Sequence, residues 1–577
     1  MDFKSEVALL LSNATGLSMD TAYSSIEIPP QSDMGDYAFP CFLLSKTLRK
    51  APPVIAQELA ADPKLSAEWV EKIQAAGGYV NFFVHRGHFS KVAVSNVLSA
   101  GLSYGQTRDG TGKTVIVEYS SPNIAKPFHV GHAFTTILGH SLSRIYERLG
   151  YSVVRMNHLG DYGTQFGKLI TAFRLWGDEK ALAETPINEL LRIYVKFHEE
   201  EKIHPELSQD ARENFKRLEN GAPDEVALWT TFRELSLKEF ATIYERLGVS
   251  FDNYNGESFY SDQIPAVVDM LTEKGLLLES DGAKVVMLDE YKLPPCIILK
   301  SDGTTIYASR DIASVLYREA AYHFFKNIYV VGSPQALHFR QVFSVLDKAG
   351  YACAADCVHV GFGLVKFKDM KFSTREGNIV VLEELLNESV AKTLEIIKAN
   401  AEIRNTDMSD DEVKDIATKV GIGAVIYTYV KSGRERDIIF SWEEMLDFEG
   451  DTAPYLIYTY ARARSILRKA ADQGIESALA QDAALALLSD EEEYAVARMI
   501  SDLPDAIKKA LASHEPFMIA RQTALIARTF NRFYNNTPIL SGSDEKRKSA
   551  RLALCEAVCT SISVGTYLLG IDVVERM

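Results

Sequence analysis

The chain has 577 residues, 47% of them hydrophobic and 24% charged, and carries a net charge of −16. This is an ordinary globular composition, long enough for several domains with large cores, and with no run of about 18 apolar residues it leaves no membrane span to expect. The negative balance argues against a nucleic-acid partner, but residues 451–577 hold 15 Lys+Arg against 16 Asp+Glu, so nearly all of it lies in the first 450 residues.

Residues 1–108 read as a small α+β domain. A leading helix contains Val7–Leu11, which is too short for a secretion signal and is preceded by Asp2, Lys4 and Glu6. Prolines and Gly35 mark loops. Helical segments follow near Phe42–Leu48 and Val54–Leu59, and Gly77-Gly78 introduces a strand over Tyr79–Val84. The Gly/Thr-rich link 105–113 closes the domain. The six cysteines form no C-x-x-C pair, so neither a zinc ribbon nor any other dedicated metal site is expected, and sparse thiols fit a reducing cytoplasm.

From Lys113 to Gly150 the pattern becomes specific. Val115-Ile116-Val117 reads as a buried strand, a Ser/Pro/Asn loop follows, and Leu138, Leu142, Ile145 and Leu149 form one stripe of a helix stopped by Gly150. Strand, loop, helix is the phosphate-binding entry of a dinucleotide-type fold, where the helix N-terminus offers free N–H groups to an anion. His129 and His132 flank Val130-Gly131 at that junction, with Lys126 three residues upstream. Gly131 lets a purine or phosphate approach the backbone, and two imidazoles with an ammonium can hold phosphate oxygens as charge develops on them. Alone, such histidines read equally as helix caps; the strand–loop–helix context points to chemistry.

The stretch Pro122–His132, PNIAKPFHVGH, resembles the HIGH signature of class I aminoacyl-tRNA synthetases. With Asn123, Lys126 and Phe128 it is similar to the arginyl-tRNA synthetase family. The resemblance implies a multidomain α/β chain with a Rossmann-type catalytic domain over 109–379, carrying a helical insertion at about 176–285. Residues 1–108 would be the family's N-terminal domain, which meets the tRNA D-loop. A helical connection over 380–449 and an all-helical anticodon-binding domain over 450–577 would follow. It also implies the reaction: ATP, accompanied by Mg2+, activates L-arginine to arginyl-adenylate, which passes to the terminal adenosine of tRNA(Arg), with tRNA bound before activation. A cytoplasmic monomer is expected.

By matching positions, the resemblance makes Lys126, His129 and His132 catalytic and sets Phe128 and Gly131 against ATP. Glu118, Ser120, Asn123, Tyr307, Asp311 and Gln335 would bind arginine, and Asn81 and Phe82 the D-loop. Tyr307 and Asp311 are four apart and share a helical face; an aromatic hydroxyl beside a carboxylate suits a guanidinium. Those residues alone read better as a helix cap with a salt bridge, for instance to Arg310. In VVGSPQALHF, Gln335 and His338 match the family, whereas Pro334 and Ala336 replace its usual Gln and Asp.

Elsewhere, YSVVRMNHLGDYGTQFGKLI repeats strand, loop and helix, with Asn157, His158, Gly160 and Asp161 at the loop mouth. Trp176 to about Val285 reads as helical and charged, and Ser301–Thr304 as a hairpin tip. Lys371-Phe372-Ser373-Thr374-Arg375 lies where class I enzymes carry Lys-Met-Ser-Lys-Ser. Thr374 replaces the second lysine, and the family carries one before the HIGH signature instead, so Lys126 takes its role, with Lys371, Ser373 and Arg375 at ATP. From Val380 the chain reads as helical. Arg462, Arg464, Arg468 and Lys469 make a cationic helix that suits a phosphate backbone. Phe530, Phe533 and Tyr534 read as base-stacking faces or as core, and Met577 falls beside the anticodon. Asp482–Ala497 reads as a solvent-facing acidic helix. Two other classes fit the same residues: a nucleotidyl-transferring enzyme without tRNA, and an inactive RNA-binding relative. Arginine- and tRNA-dependent pyrophosphate exchange separates all three.

Overall fold

The computed structural model describes residues 3–577 except 30, 302, 304, 368–379 and 405–407. In the N-terminal block the helix Phe3–Thr15 buries Phe3, Val7, Ala8 and Leu11. Strands β1 (Tyr37–Pro40), β2 (Val70–Ala76) and β3 (Tyr79–Val84) form an antiparallel sheet in the order β1-β3-β2. Asn81 and Phe82, expected to face RNA, are 7% and 0% exposed. Strand alternation turns Phe82 into the core with Val80 and Val84, and Asn81 is closed in between Ala38 and Gln74 on the flanking strands. The helix Arg86–Ala100 leaves this sheet and packs on the C-terminal helix Glu491–Ser501.

The second block opens with β4 (Thr114–Glu118), the helix Val130–Arg148 and β5 (Ser152–Met156). Its insertion is helical through Glu273 but not to its end. β6 (Leu277–Ser280), β7 (Ala283–Val286) and β8 (Cys296–Leu299) make an antiparallel sheet. Asp281 and Gly282, at φ 51° and 79°, turn the β6–β7 hairpin in the left-handed region that two-residue loops need. Beyond β8, Leu299 bridges Thr305, although Asp302 and Thr304 of the expected tip lie outside the described residues. β9 (Lys326–Val330) and β10 (Cys357–Val360) complete a parallel sheet in the order β10-β9-β4-β5. The crossovers from β4 and β9 diverge, so the carboxyl ends of these neighbours form a switch point where ligands bind.

The region after Val380 is not wholly helical, because β11 (Val365–Phe367) pairs in parallel with β12 (Ile438–Phe440). The C-terminal helices form a bundle around Glu545–Leu569. That helix is long and apolar enough to cross a membrane (mean hydropathy 1.6), yet 78% of the stretch is buried inside the protein. The acidic helix expected at the surface is half-internal: Glu493 is 0% exposed and held by Arg547 and Arg551, while Val496 and Ala497 lie in the core. All six cysteines are buried and unpaired.

Candidate active site

The loop between β4 and the helix Val130–Arg148 is held in a rare backbone shape. Ser120, Ser121 and Ala125 have φ of 70°, 45° and 62°. Each left-handed non-glycine residue costs of the order of 1–3 kcal/mol and persists only where its surroundings fix it. Here side chains do so. Thr135 Oγ1 accepts the Ser120 N–H at 3.2 Å, Asn157 Oδ1 that of Ser121 at 3.1 Å, and Ser236 Oγ that of Ala125 at 2.9 Å.

At the helix start, Gly131 N–H donates to His129 Nδ1 at 3.1 Å and His129 N–H donates to His132 Nδ1 at 3.3 Å. The two rings stack with centroids 3.7 Å apart. Burial, reinforced by Lys126, lowers the His129 pKa, and burial with His129 and Lys126 pushes His132 down to about 3. Both rings are therefore neutral near pH 7. Since each Nδ1 accepts, each proton sits on Nε2, which remains a donor. The pair supplies two fixed donors rather than two charges. Lys126 supplies the charge: it makes no ion pair among the described residues and lies 5.6 Å from the centre of the Tyr194 ring.

Gly131 and Phe128 were expected against ATP. A Cβ on Gly131 would stand 2.9 Å from His129 Cε1, so the glycine first makes room for the capping imidazole. Phe128 is 2% exposed and packs edge-on against His132, Phe240 and Tyr244, which makes it the wall behind the second imidazole rather than a nucleotide contact. Lys371, Ser373 and Arg375 lie outside the described residues. Val380 and Leu382 lie beside the first signature, where Val380 O accepts the Val130 N–H at 3.1 Å and Phe128 O accepts that of Leu382 at 2.9 Å.

The expected arginine pocket divides. Asp311, on the helix Tyr307–Tyr322, is part-buried and its Oδ2 lies 2.5 Å from His338 Nε2. Tyr307, one turn earlier, is 66% exposed, and Gln335 and Asn123 also reach solvent. The Asn123 amide lies where any side chain on residue 160 would be: a Cβ on Gly160 would come within 2.3 Å of Asn123 Oδ1. Ser120 departs from expectation. It is 1% exposed, and its hydroxyl is bonded to Tyr244 and Thr136 behind the loop. The neighbouring Ser121 hydroxyl has no partner among the described residues. Glu118 is not a free carboxylate either: Arg318, fully buried, donates to its Oε2 at 2.5 Å and is flanked by the rings of Tyr260 and Tyr329. Arg310 pairs with Glu257 at 3.6 Å, not with Asp311. Burial raises the Glu257 pKa to about 7, against the pull of Arg310.

Asn157 and Asp161 serve as scaffold. Asn157 Nδ2 donates to Tyr244 Oη, and Asp161 takes Arg233 together with the N–H and hydroxyl of Ser258. Sequence reasoning passed over Ser121, Glu257 and Arg318. Ser121 carried the one available signal, its place beside Ser120; the other two come from distant segments with no local pattern.

In the C-terminal bundle Arg464 bonds Glu575 at 2.7 Å, Arg468 donates to the Glu575 carbonyl at 2.9 Å, and Arg462 donates to Asn531 at 2.5 Å. Phe530 and Phe533 are 0% exposed and belong to the core. Tyr534 is 40% exposed under the Arg462 guanidinium, and Met577 is half-buried against the bundle.

Three family profiles match the chain: tRNA synthetases class I (R), catalytic domain, over 93–442; the DALR anticodon binding domain over 456–577; and the arginyl tRNA synthetase N terminal domain over 1–84. The chain is 51% identical to an arginine–tRNA ligase of Clostridium botulinum (strain Alaska E43 / Type E3), covering 100% of both. It is 52% identical to that of Clostridium perfringens (strain 13 / Type A), again over 100% of both. The solved arginyl-tRNA synthetase of Thermus thermophilus superposes with a TM-score of 0.80 at 25% identity, covering 100% of this chain and 99% of that one. The Plasmodium falciparum arginyl-tRNA synthetase shares the fold, with a TM-score of 0.80 at 24% identity and the same coverage.

Proposed function

The chain belongs to the class I arginyl-tRNA synthetases, ligases that join arginine to tRNA, and we propose that its activation step runs at the carboxyl ends of β4 and β9. L-Arginine and ATP, the latter with Mg2+, meet there. The arginine carboxylate attacks the α-phosphate in line and pyrophosphate leaves. His129 and His132 donate Nε2–H to phosphate oxygens, and Lys126 supplies the positive charge that Thr374 lacks, so rate enhancement comes from placement and electrostatics. Lys371, Ser373 and Arg375 are carried to the pyrophosphate by their motif. Asp311 takes the guanidinium on the oxygen that His338 leaves open, with Tyr307 on the same helical face. Asn123, Gln335 and the unpartnered Ser121 hydroxyl hold the amino acid's other end. Glu118 acts through its pair with Arg318, shaping the pocket floor. The adenylate then passes to tRNA(Arg), with Tyr534, Arg462 and Met577 near the anticodon. One chain supplies every residue named, so a monomer in the cytoplasm suffices.

The observation that carries this reading is the stacked imidazole pair whose Nε2–H groups, among the described residues, have no partner, beside an ammonium that makes no ion pair among them. Pyrophosphate exchange tests it. Exchange that requires arginine and appears only with tRNA(Arg) is expected. Exchange indifferent to arginine would reassign the site to another nucleotidyl transfer, and tRNA binding without exchange would leave an RNA-binding protein.

A further inference from the structure

A pocket of about 410 Å³ lies where three segments meet: the link at 102–106, the end of the helix Val130–Arg148 and the end of the helix Glu545–Leu569. Ser103 and Gln106 of the link, Arg144 and Arg148, and Ser563 and Tyr567 of the terminal helix line it. Arg144 and Arg148 are four apart, so both guanidiniums leave one helical face. They share a ring. Arg144 stands 4.3 Å and Arg148 5.9 Å from the centre of Tyr567, which is 47% exposed. Main-chain carbonyls fix each arginine through one nitrogen. Arg144 Nη1 donates to Tyr567 O at 2.6 Å, and Arg148 Nη1 donates to Leu102 O at 2.6 Å and to Tyr104 O at 3.4 Å. Carbonyls and rings orient a guanidinium but carry no countercharge, and the other N–H groups of both have no partner among the described residues. Neither arginine makes an ion pair among those residues. Glu147 also lines the pocket, but Arg155 takes it. Burial pulls both guanidiniums below the usual arginine range, Arg144 against the opposite pull of Tyr567 and Asp572. Two cations are thus partly withdrawn from water without a matching charge, a cost that a bound anion relieves.

We propose that this pocket binds a small phosphate anion, gripped by Arg144 and Arg148 with Gln106 and Ser563 at its rim, apart from the arginylation site. The planar fork of a guanidinium matches the oxygens of phosphate. The helix ends here, and its dipole places roughly half a negative charge at that end; two full positive charges outweigh it. One ligand would then brace three segments, among them the helix that opens at His129 and His132. Two sources share this chemistry: orthophosphate from solution and the pyrophosphate that arginine activation releases.

The test is equilibrium dialysis of labelled orthophosphate and of labelled pyrophosphate against the full chain, at an ionic strength held constant with chloride. The Lys126→Ala protein, whose first phosphate site is weakened, should still bind at least one of them, and the tighter of the two identifies the source. Gln106→Glu sets a carboxylate at the rim and leaves every bond between the three segments in place. It should weaken phosphate binding by roughly tenfold or more, the worth of about one charge-assisted hydrogen bond, while arginine-dependent exchange stays at the parent's level. Arg144→Gln combined with Arg148→Gln should lose the anion as well; should that pair fail to fold, Gln106→Glu decides alone. Binding unchanged by Gln106→Glu, binding abolished by Lys126→Ala, or displacement of the phosphate by tRNA(Arg) overturns the inference.

Discussion

The catalytic cleft and the flanks expected to meet RNA gave opposite returns to sequence reasoning. In the cleft, Lys126, His129 and His132 fall within seven residues, and the structure sets both rings at one helix mouth with Lys126 three residues before it. In the flanks, Asn81, Phe82, Phe530 and Phe533 are buried, and Arg464 is tied to the C-terminal tail. Phosphoryl chemistry needs donors at fixed distances, so its residues cluster on one loop and leave a local pattern. Backbone contact with RNA needs only unpaired charge at the surface, and whether a cation is unpaired depends on residues far away in the chain.

The sharpest way to break this contrast is Phe82→Ala. As a core residue it should cost about 3–5 kcal/mol of stability, read as a fall in unfolding midpoint, with tRNA affinity unchanged in whatever remains folded. A lost affinity at normal stability would restore the sequence expectation. Lys126→Ala comes next: arginine-dependent exchange should fall about 10²–10³-fold while tRNA binding holds. Near-normal exchange would remove Lys126 from the phosphates. Asp311→Asn should raise the KM for arginine roughly 10- to 100-fold, since a charge-assisted hydrogen bond contributes about 1.5–3 kcal/mol. An equal rise in the KM for ATP would take Asp311 out of the pocket.

The cleft helix also predicts acid sensitivity. Burial is the chief cause that pushes His132 and His140 down to about 3 and His514 to about 4 in the folded chain. Depressed folded values mean that the stability tied to the neutral rings is complete above about 6.5 and is lost as the pH falls towards 4. Each group contributes up to about 1.4 kcal/mol per pH unit. Glu257, raised to about 7, works in the opposite sense over part of this window and offsets roughly one of the three. Thermal midpoints between pH 6.5 and 4.5 should fall, and His140→Leu, which removes a ring with no hydrogen-bond partner among the described residues, should soften the fall. A flat profile would contradict the burial argument. The smallest effect belongs to Arg464→Ala. Its exposed ion pair with Glu575 contributes less than about 1 kcal/mol, and tRNA affinity should shift less than about twofold.

Particular residues show why some of the fold escaped notice. The run of charges through the insertion suggested helix to Val285, yet Asp281-Gly282 between Leu277-Leu278 and Val285-Val286 is itself a hairpin signal, outweighed by the surrounding helical pattern. Glu493 sits in an acidic run that reads as solvated, and only Arg547 and Arg551, more than fifty positions later, explain its burial. Thr374 and the loop around it carry their meaning through the motif alone.

The helix Val130–Arg148 reaches its neighbours through main chain as well as side chains. Ser141 donates to the Leu568 carbonyl, Arg144 to that of Tyr567, and Arg148 to those of Leu102 and Tyr104. The bonds addressed to peptide carbonyls do not depend on which side chains the far surface carries, whereas the Arg144 contact with the Tyr567 ring and the Tyr146 bond to His514 do. Chimeras that exchange the terminal bundle between relatives of about half identity should therefore keep their docking where Ser141 is retained, Arg144 meets an aromatic ring at position 567 and Tyr146 meets a histidine at 514.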